Sequence, residues 1–491
     1  MHIEPIQKNF IHGRFVETQL KQTFPNLNPA NLKTLCQVEE AGQTEIDKAA
    51  ESAVEGQAVW ARISPAKRLT IMQRAASILR DQHKAIAKIE SIDCGKPISE
   101  SLSFDVFSAA DTLDYFASLS ISQKGSLHSF DNSFSYTKNI PLGVIGAIGA
   151  WNYPLQIASW KAAPALASGN AVVYKPSQLT PLTANILAQI FMEAGLPPGV
   201  FNVVHGAEKT GQMLTTHPLI AKISVTGSVA TGKKVMQNAS QFLKPCTLEL
   251  GGKSPILVFA DCDLHQAVSG VMMGNFYTQG EICSNGTRVF VERKIHDAFV
   301  SLLKERTEKL VLGCPMEAST QVGALISKAH AASVIKAINK GVQDGAKLLT
   351  GGRHPRFPAA SLLEEECFVE PTIFTDCHDD MDLVKHEIFG PVAAILSFDS
   401  EKEAIERANN SPYGLASGVF TSDLKRAHRV SDKMESGVCW VNNYNVTPPG
   451  LAFGGMKNSG LGRENAYSTL KNYTQEKTVY MELGSVDCPY D

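Results

Sequence analysis

The sequence predicts an α/β protein built from two doubly wound α/β domains, with a small β arm beside them. Three observations predict it. The chain has 491 residues, more than one ordinary core organises, so two or three domains are expected. From residue 150 to about 250, helical and strand patterns alternate with short connections, as in parallel sheets covered by helices. A second alternating region runs from residue 254 to about 436.

The elements follow in order. Residues 1–40 read as short strands and turns, FIHGRFVE and LNPANLKTL. From Thr44 to Ile89 apolar positions recur at helical spacing, giving amphipathic helices that Gly95-Lys96-Pro97 punctuates before a further helical region ends near Leu119. At Ser133 the pattern changes to FSYTKNIPLGVIGAIGAW, β-prone and then glycine-spaced. Helix WKAAPALASG, strand AVVYKP, helix TPLTANILAQIFMEAG, strand FNVVHG, helix KTGQMLTTHP, strand AKISVTG, helix VATGKKVMQNASQ and strand CTLELGG complete the first alternation. Open sheets of this kind bind ligands at the carboxyl ends of their strands, so this half is expected to take a nucleotide. The second region contains ILVFAD, RVFVE, AKLLTG and PVAAILSFDS among helices, with a loop-rich excursion over 345–372. The tail TQEKTVYMEL is a β run with no local partner, expected to join another sheet or another subunit.

Composition excludes several classes. Lys+Arg number 46 against Asp+Glu 49, a net charge of −3, so no basic excess serves nucleic acid and no polybasic tract serves a membrane. The N-terminal MHIEPIQKNFIHGRF carries an acid and has no apolar centre, unlike a secretory signal. No uncharged apolar run approaches the roughly 18–20 residues of a membrane span. The 10 cysteines are scattered without a C-x-x-C pair, and the nearest to a metal cluster is Cys262 between Asp261 and Asp263. A reduced, cytoplasmic enzyme is expected.

Chemistry concentrates in Asn275–Arg288, NFYTQGEICSNGTR. A cysteine in an apolar run is usually a small hydrophobe. Cys283 instead lies among Gly280, Ser284, Asn285 and Gly286, in a loop that can present a thiol to a cleft, and it is the predicted nucleophile. Gly143, Gly146 and Gly149 are spaced G-x-x-G-x-x-G, which fits a closely packed strand better than a dinucleotide fingerprint. In VTGSVATGKK a strand ends at Gly227-Ser228 and a helix opens toward Gly232, either an anion site on free N–H groups or an ordinary turn. Lys175, in YKPSQ, either holds a ribose or phosphate or is solvated. Glu249, in TLELGGKSP, is either a desolvated general base of raised pKa or an edge-strand acid in water. Asn152 reads as an N-cap with Pro154 in the first turn. Tyr153 and Trp160 then share a helix face, beside Lys161, as core or as pocket wall.

Together WNYPL, KPS, TGS, ELGGKSP, the Cys283 loop, EIFGPV and FGGMKNSGLGRE resemble, in order and from about Phe10 to Val479, the NAD(P)-dependent aldehyde dehydrogenase superfamily. The run CSNGTRVFV and WNYPLQIASWK resemble its betaine aldehyde and trimethylaminobutyraldehyde dehydrogenase branch. The resemblance implies oxidation of betaine aldehyde to glycine betaine, with 4-trimethylaminobutyraldehyde or broader aminoaldehydes as the alternative. It implies Cys283 as nucleophile, Asn152 as oxyanion donor, Glu249 as water-activating base, and Lys161 with Glu464 as proton relay. For the cofactor it implies Ala150, Trp151, Asn152, Lys175, Ser177, Gln178, Gly227, Ser228, Gly232, Glu387 and Phe389. An aromatic cage for a quaternary ammonium falls on Tyr153, Trp160 and Phe453, with Tyr444 as a fourth wall. Potassium is implied at Asn26, Leu27 and Asp93, and at Lys457 and Gly460.

The implied domains are 1–132 with 150–250 for the dinucleotide, 251–436 for catalysis, and 133–149 with 466–491 as an oligomerisation arm of a homodimer or homotetramer. Two departures stand out. Gln178 replaces the glutamate common in NAD-preferring members, which leaves NADP open beside NAD. Glu281 replaces a common glutamine and is expected to face solvent.

Overall fold

The computed structural model describes residues 2–122, 124–358 and 360–490. The first alternating region forms an eight-stranded sheet. Its order is Gly460–Leu461, Cys246–Leu250, Lys222–Gly227, Val144–Ile148, Ala171–Lys175, Phe201–Val203, Asn9–Ile11 and Arg14–Val16. The five strands from Cys246–Leu250 to Phe201–Val203 are parallel, and antiparallel pairs close both edges. The chain leaves Val144–Ile148 for one neighbour and later returns to the other, so strand order reverses there and a crevice opens at the carboxyl ends.

The second region forms a seven-stranded sheet ordered Lys347–Thr350, Thr372–Thr375, Val392–Phe398, Arg288–Glu292, Pro255–Val258, Ala416–Phe420 and Val438–Val441. All neighbours are parallel except the first pair. Buried on both faces, the central strands read PILV, RVFVE and VAAILSF, near-continuous apolar runs. The first sheet's last parallel strand runs through Gly251–Ser254 directly into this sheet at Pro255. Carboxyl ends of one sheet therefore face amino ends of the other.

Three expectations are corrected. Val144–Ile148 is not part of the arm but a central strand of the large sheet, fully buried between Lys222–Gly227 and Ala171–Lys175. The tail joins another sheet, as expected: Thr474–Glu482 pairs antiparallel with Ser133–Pro141 over nine residues, and Leu127–Ser129 completes a three-stranded arm. The second sheet runs past residue 436 to Val441. The helix after Asn152 also starts one residue later than expected, with Tyr153 as N-cap and Pro154 at its first position. Among the described residues no helix is long and apolar enough to cross a membrane.

Helices on the large sheet are anchored by specific bonds. Trp60 is fully buried and its indole N–H donates to the Leu166 carbonyl at 2.9 Å, tying Gln43–Trp60 to Pro154–Ala167. Burial of such a side chain stabilises by about 1.5–3 kcal/mol. Gly149 continues the central strand toward the site, and a Cβ there would lie 2.0 Å from Tyr174 Oη, a buried hydroxyl with no partner. Gly149→Ala should therefore cost about 1–3 kcal/mol through overpacking. Adding Tyr174→Phe should recover part of the lost thermal midpoint; a double variant no more stable than the single would contradict this packing.

Candidate active site

The Cys283 loop reaches the cleft through a strained approach. Helix Leu264–Met273 ends, and Thr278 and Gln279 both adopt left-handed backbone (φ 49° and 43°) before Gly280. Such conformations cost of order 1–3 kcal/mol each and persist only when held. Glu100 supplies part of the hold, accepting from Thr278 N–H at 3.1 Å and from its hydroxyl at 2.8 Å. Tyr444 supports the other side: it is buried and its hydroxyl donates to the Ser284 carbonyl at 2.8 Å. It therefore backs the loop and does not line the cavity, which corrects its assignment as a substrate wall.

Cys283 opens into a cavity of about 270 Å³. Burial pushes its thiol well above the ordinary range, and the nearby carboxyls of Glu249 and Glu387 push it further the same way. Asn152 is buried, its side-chain N–H donating 2.8 Å to the Glu281 carbonyl, so the amide is tied to the nucleophile loop. Glu249 is buried at the end of its strand, and neither of its oxygens has a hydrogen-bond partner. Burial first, and the Glu464 charge second, hold its carboxyl well above the usual range, against the pull of Lys161 and Arg463. Gly454 (φ 152°) leaves it room, since a Cβ there would lie 2.6 Å from Oε1. Lys161 and Glu464, both buried, pair at 2.7 Å. Glu464 is in turn bonded backbone to backbone with Phe453, at 2.7 and 3.0 Å.

Aromatic rings wall the rest of the cavity. Tyr153, Trp160 and Phe453 line it, with Trp160 edge-on to Phe453 at 5.4 Å. Phe104 and Tyr277 join them and were missed. Tyr277 lies in the nucleophile loop, six residues before Cys283, whereas Phe104 comes from a π-helical turn, Ser101–Asp105, with no readable link to the site. The Lys96 ammonium sits 3.8 Å from the Tyr153 ring centroid and pairs with Asp105 at 2.8 Å, so one face of that ring is already occupied. The lining contains no lysine or arginine; its ionisable groups include Glu249 and Glu464.

A groove of about 750 Å³ lies at the carboxyl ends of the large sheet, lined by Ile148, Gly149, Lys175, Ser177, Gln178 and Thr231 among others. Lys175 is buried there, its ammonium bonded to the carbonyls of Pro176 and Gly206 at 3.0 and 2.8 Å, and burial pulls its pKa down to about 8. Gly227 ends the strand. Ser228 caps helix Val229–Ser240 by accepting from Thr231 N–H at 3.1 Å, and Gly232 packs that helix onto Leu250. The donor-rich helix start and the basic side chain fit a pyrophosphate. At the cleft end, Glu387 accepts from Gly252 N–H at 3.2 Å, and burial pushes its carboxyl up to about 7. Trp151, next to Ala150, packs edge-on against Phe389 at 5.1 Å.

Glu281 does not face solvent. It is 1 % exposed, accepting from Ile326 N–H at 3.0 Å and from Gln279 Nε2 at 3.2 Å. Those two donors offset only part of its burial, which holds the carboxyl well above its ordinary range, and the Ile326 donor leaves no trace in local sequence. Of the cation candidates, Asn26 and Asp93 meet: Asn26 Nδ2 donates to Asp93 Oδ1 at 2.9 Å, and Leu182 N–H to Oδ2 at 3.1 Å. Leu27 is exposed. Lys457 places its ammonium on the carbonyls of Asn409 and Ser411, and Gly460 pairs with Glu249 at the edge of the large sheet. Among the described residues no cluster of three or more His, Cys, Asp or Glu side chains could hold a metal ion.

The sequence profile of the aldehyde dehydrogenase family matches residues 15–479. The chain is 50% identical to betaine aldehyde dehydrogenase of Vibrio vulnificus over 487 residues, 99% of each chain. It is 47% identical to betaine aldehyde dehydrogenase of Sinorhizobium fredii across the full length of both. An NAD+ complex of aldehyde dehydrogenase from Bacillus cereus superposes with a TM-score of 0.95 at 39% identity, covering 98% of each chain.

The raised thiol makes a titration prediction. Alkylation of Cys283 by iodoacetamide requires the thiolate, so its rate should rise with pH to an inflection above the ordinary ~8.5 of a cysteine. Glu249→Gln removes the neighbouring negative charge and should lower that inflection. An inflection at or below the ordinary value, or one that Glu249→Gln does not move, would contradict the electrostatics.

Proposed function

The chain belongs to the aldehyde dehydrogenase family, and from that membership we propose that it oxidises betaine aldehyde to glycine betaine with NAD. The observation that carries the substrate is the cavity: aromatic walls, two carboxyls, and no lysine or arginine, ending at a cysteine. A quaternary ammonium has no N–H to donate, so ring faces and nearby negative charge are what recognise it. A carboxylated aldehyde would find no cation in the lining.

The residues divide the chemistry. Cys283 Sγ, as thiolate, attacks the carbonyl carbon and forms a thiohemiacetal. Its oxyanion is met by the Asn152 amide and the Cys283 backbone N–H. NAD, when bound, supplies the hydride acceptor; Lys175, Ser177, Gly227 and Ser228 would hold its adenosine and pyrophosphate end, and Ala150–Asn152, Glu387 and Phe389 its nicotinamide end, while Gly232, packed on Leu250, serves the helix and not the cofactor. The acyl group is then a thioester on Cys283. Glu249 takes a proton from water, the water oxygen attacks the thioester, and the Cys283 thiolate leaves with the acid released. Lys161 and Glu464 are the relay for the proton that Glu249 accepts.

Gln178 is neutral and exposed in the groove, which supports use of NADP as well. Asn26 and Asp93 are the residues we assign to potassium. The arm leaves Leu127, Phe130, Tyr480, Met481 and Leu483 exposed, and we assign it to self-association as a dimer or tetramer. All 10 cysteines are free, in keeping with a reducing, cytoplasmic location.

Cys283→Ala should abolish dehydrogenase turnover while leaving NAD binding intact. A panel of betaine aldehyde, trimethylaminobutyraldehyde and an uncharged aldehyde of similar size, each with NAD and NADP, tests the substrate. Betaine aldehyde should exceed the uncharged aldehyde in kcat/KM by about tenfold or more, the scale of one desolvated cation–π contact. Parity would remove the cage reading, and retained turnover in Cys283→Ala would remove the nucleophile.

A further inference from the structure

Glu281 and His330 are buried or half-buried titratable groups near the cleft that the chemistry above does not use. His330 Nε2 lies 2.7 Å from the Phe389 carbonyl. A carbonyl only accepts, so Nε2 carries the hydrogen and donates it. The same nitrogen lies 3.6 Å from Glu281 Oε1. Burial pulls the imidazole below its ordinary pKa, in keeping with a neutral donor. The ring also packs edge-on against Trp151, at 5.4 Å between centroids. Phe389 has left-handed backbone (φ 60°), which a bulky residue adopts only when held.

Three segments meet at this point. Glu281 belongs to the nucleophile loop; its side chain accepts from Ile326 N–H, and its carbonyl accepts from the Asn152 amide. His330 begins the helix that follows Ile326 and reaches the turn that carries Glu387 and Phe389. We propose that His330 and Glu281 are positioning residues: His330 holds the strained Phe389 turn in its cofactor-ready shape, and Glu281 fastens the His330 segment to the nucleophile loop. This rests on the reading of Glu387 and Phe389 as the nicotinamide-end contacts.

The test measures NAD affinity in the absence of aldehyde, by fluorescence titration, beside the alkylation rate of Cys283 without NAD. His330→Phe keeps an aromatic ring against Trp151 and removes the donor to Phe389. It should weaken NAD binding by about fivefold or more while alkylation stays within about twofold of wild type. His330→Gln restores an N–H donor and should recover at least half of the loss. Glu281→Ala removes the acceptor for Ile326 N–H and should likewise weaken NAD binding, whereas Glu281→Gln keeps that acceptor and should bind close to wild type.

Unchanged NAD affinity in His330→Phe would overturn the proposal. So would an equal fall in alkylation, which marks general loss of structure, or a failure of either glutamine variant to rescue. Wild-type protein that binds neither NAD nor NADP would instead strike the cofactor reading, and the proposal with it.

Discussion

An ionisable carboxyl buried without a hydrogen-bond partner is costly, and this molecule keeps one at Glu249. In most places such a group would be paired, or replaced by an apolar side chain. Here the cost is met by the frame around it. The strand that carries Glu249 is paired on both sides, with Lys222–Gly227 and with Gly460–Leu461. Its continuation is a central strand of the second sheet. Pairing on both sides fixes the backbone beneath the carboxyl. What results is a base of raised pKa facing a thiol whose pKa is raised in part by that same base.

The two groups restrain each other, and this sets a logic for the site. With both protonated, neither attacks. Ionising one makes ionising the other harder, because like charges in a buried space disfavour a second charge. Two buried pairs of opposite charge stand nearby: Lys161 with Glu464, and Lys96 with Asp105. These pairs keep net charge low around the aromatic walls while leaving carboxyls in place for a cation. Substrate recognition and acid–base control thus draw on the same few buried charges.

Much of this was legible in the sequence, for identifiable reasons. Parallel βαβ units are local in sequence, so their alternation is visible, and Cys283, Glu249 and Asn152 each stand in a motif with its own turn chemistry. What escaped was non-local. Val144–Ile148 follows the arm strand Ser133–Pro141 almost without interruption, and nothing in its β pattern says that it pairs with Lys222–Gly227 rather than with the tail. Glu281 reads as a polar loop residue until Ile326 N–H, 45 positions away, is found bonded to it. Tyr444 reads as a pocket aromatic, but its hydroxyl is used on the Ser284 carbonyl. Phe104 reaches the cavity from a segment whose sequence shows only amphipathic helix.

The central claim is a division of labour: Cys283 forms the acyl intermediate and Glu249 is needed only to release it. The most direct measurement is a rapid-mixing single turnover of Glu249→Gln with aldehyde and NAD, followed by mass analysis of the Cys283 peptide. The expected result is a burst of about one NADH per site, negligible steady turnover, and an acyl adduct on Cys283. Absence of the burst, or an unmodified Cys283 after it, would contradict the account.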